Sequence, residues 1–315
     1  MLVLKTNKPF DPCKVEYLFP EDEMAALKLP IPFGCIVAII ILISLMFVFG
    51  MVCLAYPDFS NWWNSVHSAK LIHDYEKTVE KIEPDDYSDI FEEAELYNKS
   101  LLNNNRRWLT DKKSFEKYSK IMDFASNGIM AYIEIPKLNL RLPIYHGTTP
   151  NVLQVGLGHM EGSSFPIGGK GTHTVISGHR GTLRAKLFTD IPNLEKGDEF
   201  YIHVLDRVLT YRVDHFATVL PNDRSPIEID PNQDYVSLMT CTPYAVNSHR
   251  FFVRGVRVEN EIEEVEDTVP HTHPNTVTVR FPFLVVGICG GLSILFVGIM
   301  IFLLISLKRT FCKQK

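Results

Sequence analysis

The sequence lacks the signatures of several common protein classes. No CxxC pair occurs among its six cysteines, and no serine lies in a G-x-S-x-G segment. A paired-thiol zinc site and a serine hydrolase elbow are therefore not expected. No basic stripe interleaved with aromatic residues is present, and the net charge is only −5. We therefore expect no nucleic-acid partner.

Charged residues are missing from two long apolar runs, residues 33–56 and 281–307. About twenty apolar residues are enough to cross the hydrocarbon core of a bilayer, so both runs are long enough. A cleaved signal peptide is the alternative for the first run. However, 32 residues precede that run, and no small-x-small cleavage site follows it. We predict two transmembrane helices in a lipid bilayer.

Positive residues near the two runs indicate their orientation. Six lysines and arginines lie on the terminal sides, whereas Lys70 and Arg280 are the two found within a similar distance on the central sides. Lysine and arginine favour the cytoplasmic side of a membrane. We therefore expect both terminal segments, 1–32 and 308–315, to be cytoplasmic. The region between the runs would then be extracellular, at the cell membrane.

The region between the runs changes character near Gly128. Residues 57–128 carry apolar residues at helical spacing, and Pro84 separates two predicted helices. These helices could pack on the following domain, contact a partner or form a stalk. Residues 129–258 carry seven or eight short alternating segments, which are typical of a closed, mostly antiparallel barrel or of a sandwich. Residues 259–280 begin with an acidic stretch and read as a linker.

Cys241 is the only cysteine between the two runs. Extracellular domains usually use cysteines in pairs, so a single thiol there is either buried and inert or chemically active. Cys241 ends one predicted strand and Arg250 begins the next, so their side chains can share a face. His179 lies between two glycines in SGHRG. A base or cation near a thiol makes it a nucleophile, and a guanidinium can stabilise an oxyanion. A structural coincidence is the alternative, because free cysteine is often buried.

A zinc site is another alternative. It would be built from His159, His173, His179 and Cys241, but their spacings match no common ligand pattern. We therefore expect no metal and no other cofactor.

Several segments resemble the sortase family. TCTPYAVNSHRFFVRG (240–255) is similar to the sortase signature Thr-Leu-x-Thr-Cys with a following arginine; the first part here reads SLMTC, and Arg250 follows Cys241 by nine residues. Three further segments resemble sortase sequences: YIEIPKLNLRLPIYHGT (132–148), GLGHMEGSSFPIGG (156–169) and VISGHRG (175–181). The CTPY…N.HR segment and the second apolar run are most similar to the class C, pilin-polymerising sortases.

The resemblance implies a mainly β fold. It would be a closed, eight-stranded β-barrel over residues 129–258, with N-terminal helices and two flanking transmembrane helices. The resemblance also implies that Cys241 is the nucleophile, His179 its catalytic partner and Arg250 the stabiliser of the transition state. The residues expected to support them are Ser177, Gly178 and Thr240.

The implied reaction is a transpeptidation. The thiolate would cleave an LPxTG-type sorting signal between Thr and Gly, and a lysine amine of a pilin or other surface protein would resolve the thioacyl enzyme. Hydrolysis would be a side reaction. Two alternatives remain: a housekeeping sortase that attaches surface proteins to a cell-wall precursor, and a catalytically idle, membrane-tethered binding scaffold.

Class C sortases usually carry a lid in which an Asp-Pro-aromatic segment plugs the active site. In this chain Asp-Pro occurs only at 11–12 and 230–231, whereas a lid would lie at about 102–124. Either the lid is absent, or an aromatic side chain acts without that anchor. The candidate lid aromatics are Trp108, Phe115 and Tyr118.

Overall fold

The structure, a computed structural model, describes residues 32–102, 104, 106–109, 111–125, 128–181, 185–258 and 281–313. Nearly all of the predicted cytoplasmic N-terminal segment and the whole linker, residues 259–280, lie outside the described residues. The chain divides into two compact units: Met1–Val52 with Gly290–Lys315, and Cys53–Cys289.

The described residues form five α-helices and eight strands. The helices are α1 (Phe33–Val79), α2 (Pro84–Leu101), α3 (Lys112–Tyr118), α4 (Pro150–Val155) and α5 (Phe283–Lys313). The strands are β1 (Ile129–Ile135), β2 (Leu140–His146), β3 (Leu157–His159), β4 (Thr172–Ser177), β5 (Glu199–Val204), β6 (Arg207–Val219), β7 (Asp234–Thr242) and β8 (His249–Arg257).

Both predicted membrane runs form helices. α1 and α5 each contain a stretch that is long and apolar enough to cross a membrane. In the first compact unit the rings of Phe47 and Phe296 stack with their centroids 4.0 Å apart. Other large apolar side chains, such as Leu42 and Leu295, stay exposed. Exposed apolar surface of this extent is stable in lipid rather than in water.

The eight strands close into one barrel in the order β1-β2-β3-β4-β7-β8-β6-β5. This order confirms the predicted closed, eight-stranded fold. β2–β3 and β4–β7 are parallel pairs, and the other pairs are antiparallel. β3 was not predicted as a strand, because a three-residue segment is too short to show alternation.

The N-terminal helices pack on the barrel. Ile72 and Tyr75 of α1 and Ala94 of α2 are buried in the same apolar cluster as the barrel strands. These positions lie on the apolar faces that the helical spacing predicted, and their burial decides in favour of packing on the following domain. The short helix α3 lies within residues 102–124, the segment in which a lid was expected.

Candidate active site

Cys241 and Arg250 form a cross-strand pair. β7 and β8 run antiparallel, and Cys241 lies directly opposite Arg250 in their register. Directly opposed residues project from the same face of a sheet, with Cβ atoms about 5 Å apart. Both residues are half-exposed. The thiol and the guanidinium are therefore neighbours that solvent can reach.

This pair lies on the outer face of the barrel. Leu238 and Val253 belong to the main apolar core, and successive side chains of a strand point to opposite faces. Met239, two residues before Cys241, and Phe252, two residues after Arg250, belong to a separate apolar cluster. This outer cluster consists of buried Val175, Ile227, Met239 and Phe252, with Trp108, Met160, Ala217 and Val219 packed against it. It forms an apolar floor next to the thiol.

His179 lies alongside Cys241. The backbone N–H of Gly178 donates to the carbonyl of Met239 at 3.0 Å, and the Thr240 hydroxyl donates to the carbonyl of Gly178 at 2.8 Å. The next residue on each segment is His179 on one and Cys241 on the other. The fold therefore brings His179, Cys241 and Arg250, all three half-exposed, to neighbouring positions on adjacent segments.

The three predicted supporting residues hold this arrangement. Ser177 is the buried last residue of β4, and Thr240 is buried beside it. A Cβ on Gly178 would come within 2.7 Å of the side chains of Leu157 and Phe188. This position therefore requires glycine, and the backbone packs tightly before the histidine.

The guanidinium of Arg250 is tied to its own loop. Nη1 donates to the carbonyl oxygens of Asn247 and His249, both at 3.2 Å. Both hydrogen bonds use Nη1. Within the described residues, the donors on Nε and Nη2 make no hydrogen bond.

The three candidate lid aromatics lie in different places. Trp108 packs on the outer cluster, and its ring lies between the guanidinium carbons of Arg107, at 4.7 Å, and Arg224, at 5.2 Å. Phe115 is half-buried against the barrel. Tyr118 is only 2% exposed and donates to Nδ1 of His159 at 2.7 Å. Of the three, Trp108 is the aromatic that packs on the outer cluster.

Two histidines of the zinc alternative have both ring nitrogens occupied. In His159, Nε2 donates to the Ser164 carbonyl at 2.8 Å, and Nδ1 accepts from Tyr118. In His173, Nδ1 donates to the Glu228 carbonyl and Nε2 accepts from the Ser237 hydroxyl, both at 2.8 Å. These bonds hold the two rings within the barrel wall, so their role is structural.

We expect these two histidines to make stability depend on pH. Burial lowers the pKa of His159 to about 3 and of His173 to about 4, whereas an unfolded histidine titrates near 6.5. Below about pH 6.5 the unfolded chain therefore binds protons that the folded chain does not. As the pH falls from about 6.5 towards the folded pKa, each histidine should lower the free energy of unfolding by about 1.4 kcal/mol per pH unit.

Urea unfolding of the full chain in detergent between pH 7 and pH 5 measures this slope. His173→Gln is expected to reduce the slope, whatever it does to stability at pH 7. An unchanged slope in the variant would contradict the assignment.

Sequence reasoning missed two residues beside the pair. Nη1 of Arg180 donates to the Thr242 hydroxyl at 3.0 Å. Both residues are sequence neighbours of predicted site residues, and that adjacency was the available signal. The ring of Tyr244 also lies over Gly181, where a Cβ would come within 2.7 Å.

Comparison with known proteins identifies the family. Residues 133–258 match the Sortase domain family. The crystal structure of sortase C1 from Streptococcus agalactiae is 42% identical, with a TM-score of 0.59, and the match covers 61% of this chain and 100% of that one. The chain belongs to the sortase family. Membership implies a cysteine transpeptidase, and it confirms the resemblance on which the sequence analysis relied.

Other relatives of this sortase agree. Sortase C-1 from Streptococcus pneumoniae is 37% identical, with a TM-score of 0.55, over 61% of this chain and 99% of that one. Sortase D of Bacillus subtilis (strain 168) is 33% identical over 129 residues, which cover 40% of this chain and 62% of that protein. The match to sortase A of Bacillus anthracis covers 59% of that relative. The structural neighbours are class C sortases.

Proposed function

We propose that this sortase is a membrane-anchored transpeptidase that joins pilin subunits. It cleaves an LPxTG-type sorting signal between Thr and Gly and transfers the acyl group to a lysine amine. The observation that carries the proposal is the Cys241–Arg250 pair on the open outer face, with the His179 segment alongside. Streptococcus pneumoniae sortase C, whose crystal structure bears on pilin substrate specificity, is 38% identical over 61% of this chain.

The proposed reaction has two steps. The Cys241 thiolate attacks the threonine carbonyl carbon, the C–N bond to glycine breaks, and His179 gives a proton to the departing amine. Free donors of Arg250 hold the oxyanion of the tetrahedral intermediate. A lysine amine then attacks the thioester and gives a proton back to the neutral imidazole of His179. The C–S bond breaks, the thiolate is restored, and an isopeptide bond remains. Ser177, Gly178 and Thr240 position the two strands.

The proposal includes a location at the cell membrane. We infer that α1 and α5 cross the bilayer, that both termini are cytoplasmic and that the barrel is extracellular. The length and apolar character of the two helices support the crossing. The excess of lysine and arginine on the terminal sides supports the orientation.

Incubation of the full chain in detergent with a sorting-signal peptide and a purified pilin tests the function. We expect a hydroxylamine-sensitive adduct on Cys241 and a pilin lysine joined to the peptide threonine, both read by mass spectrometry. Transfer to a cell-wall precursor amine but not to the pilin would favour the housekeeping alternative. Absence of any adduct would favour the alternative of a catalytically idle binding scaffold.

We also propose that Trp108 serves as the lid aromatic without an Asp-Pro anchor. Its ring packs on the outer cluster, which includes Met239, two residues before Cys241. The guanidinium carbons of Arg107 and Arg224 lie 4.7 and 5.2 Å from the ring centroid. A sorting signal that uses the same floor would have to displace it. Only enzyme molecules in which Trp108 has left this surface can then bind the sorting signal, so their fraction limits the apparent affinity for it.

Trp108→Ala is therefore expected to raise peptide cleavage at low substrate concentration by about 3- to 10-fold. Leu109→Ala is the matched control, since Leu109 is the next residue and is 77% exposed; we expect no change for it. Initial rates with a fluorogenic sorting-signal peptide provide the measurement. Equal or lower rates for Trp108→Ala would remove the lid role.

A further inference from the structure

Arg180 connects the two segments that carry the proposed catalytic residues. It follows His179 directly, and its Nη1 donates to the hydroxyl of Thr242 at 3.0 Å. Thr242 in turn follows Cys241. The Arg180 side chain therefore links the segment that carries His179 to the segment that carries Cys241.

The backbone pairing of β4 with β7 ends before it reaches the histidine. The last pair is Ser177 with Met239, and His179 lies two residues further on. One side-chain hydrogen bond, from Thr240 to Gly178, comes just before His179. The bond made by Arg180 comes just after it. Beyond the strand ladder, two side-chain bonds therefore flank the histidine, and its own carbonyl accepts from the backbone N–H of Phe188 at 3.1 Å.

The surroundings of Arg180 are partly closed. The residue is half-buried, and the ring of Tyr244 lies over the adjacent Gly181. Nε of Arg180 is buried and has no hydrogen-bond partner in the part of the chain that the structure describes. A buried donor without a partner is costly. An arginine that acted only as a solvated surface charge would avoid that cost, so its place in the fold points to a geometric role.

We propose that Arg180 is a positioning residue for the transpeptidation, a role that rests on the proposed function. Its bond to Thr242 holds the imidazole of His179 where a proton can pass to the departing amine. Small displacements of reacting groups lower rates strongly. Loss of the bond should therefore slow turnover more than it weakens substrate binding.

Steady-state kinetics of the full chain in detergent test this role. Arg180→Ala and Thr242→Val are each expected to lower kcat by about 10- to 100-fold, with KM changed by less than about twofold. Arg180→Lys and Thr242→Ser, which keep a donor and a hydroxyl, should recover most of the rate. Because both substitutions remove the same hydrogen bond, the double variant should be about as slow as the slower single variant.

Two results would overturn the role of Arg180: single variants that turn over at the wild-type rate, or losses that multiply in the double variant. Failure of the proposed function would look different, because the wild-type chain itself would form no adduct on Cys241. In that case amide hydrogen exchange over residues 178–181 decides the positioning claim. Faster exchange in Arg180→Ala supports it, and unchanged exchange contradicts it.

Discussion

Replacing Cys241 with alanine is expected to abolish both the thioacyl adduct and the crosslinked product. The thiol is the only nucleophilic sulfur on the outer face in the described barrel, where it lies opposite Arg250. Without a nucleophile the two-step route has no intermediate, and general acid and oxyanion groups alone cannot replace it. Loss of a catalytic nucleophile lowers rates by about a thousandfold or more. Mass spectrometry of the enzyme after incubation with the peptide measures the adduct directly.

Cys53→Ala is the matched control for that experiment. Cys53 is a free cysteine on α1, in the apolar run, so we expect its loss to leave the adduct unchanged. A membrane-impermeant maleimide added to intact cells should label the wild-type chain at Cys241. It should not label the Cys241→Ala variant. If the alanine variant still crosslinked pilin, the cysteine mechanism would be wrong.

Replacing Arg250 with glutamine is expected to give the second large loss. Nη1 is bound to two backbone carbonyls, which orients the guanidinium plane, while the donors on Nε and Nη2 make no hydrogen bond to the described residues. Removal of one donor to a developing oxyanion typically lowers kcat by about 10²- to 10³-fold. Arg250→Lys should also lose much of the rate, because an ammonium cannot reproduce the planar fork.

Arg212→Gln is the matched control for Arg250. Arg212 is also a barrel arginine, but it is exposed and pairs with Glu199. It lies opposite Val256, at the far end of β8 from Arg250. We expect wild-type kcat for this variant. A wild-type kcat in Arg250→Gln would instead show that the guanidinium plays no part in the chemical step.

Much of the fold could be predicted from short-range patterns. Strand alternation over residues 198–219 predicts a hairpin near Leu205, and β5 and β6 meet there. The helical spacing of Ile72 and Tyr75 predicted the buried face of α1. These predictions succeeded because side-chain direction repeats every two residues in a strand and every 3.6 in a helix. β3 has too few residues to show either repeat.

The choice among the lid candidates could not be made from the sequence. Trp108, Phe115 and Tyr118 all lie in one polar segment, and no spacing rule ranks them. The structure separates them, because Tyr118 is buried against His159 while Trp108 reaches the outer cluster. That outcome depends on which barrel surface each residue meets.

The sequence by itself determined the element types, the two apolar helices and the identities of the candidate cysteine, histidine and arginine. Each of these follows from local periodicity or from a short motif. The tertiary structure alone decided that the face shared by Cys241 and Arg250 is the outer one, that Trp108 packs on the outer cluster and that Arg180 joins the two segments. These relations connect residues distant in the chain, and they exist only once barrel closure has set the register between strands.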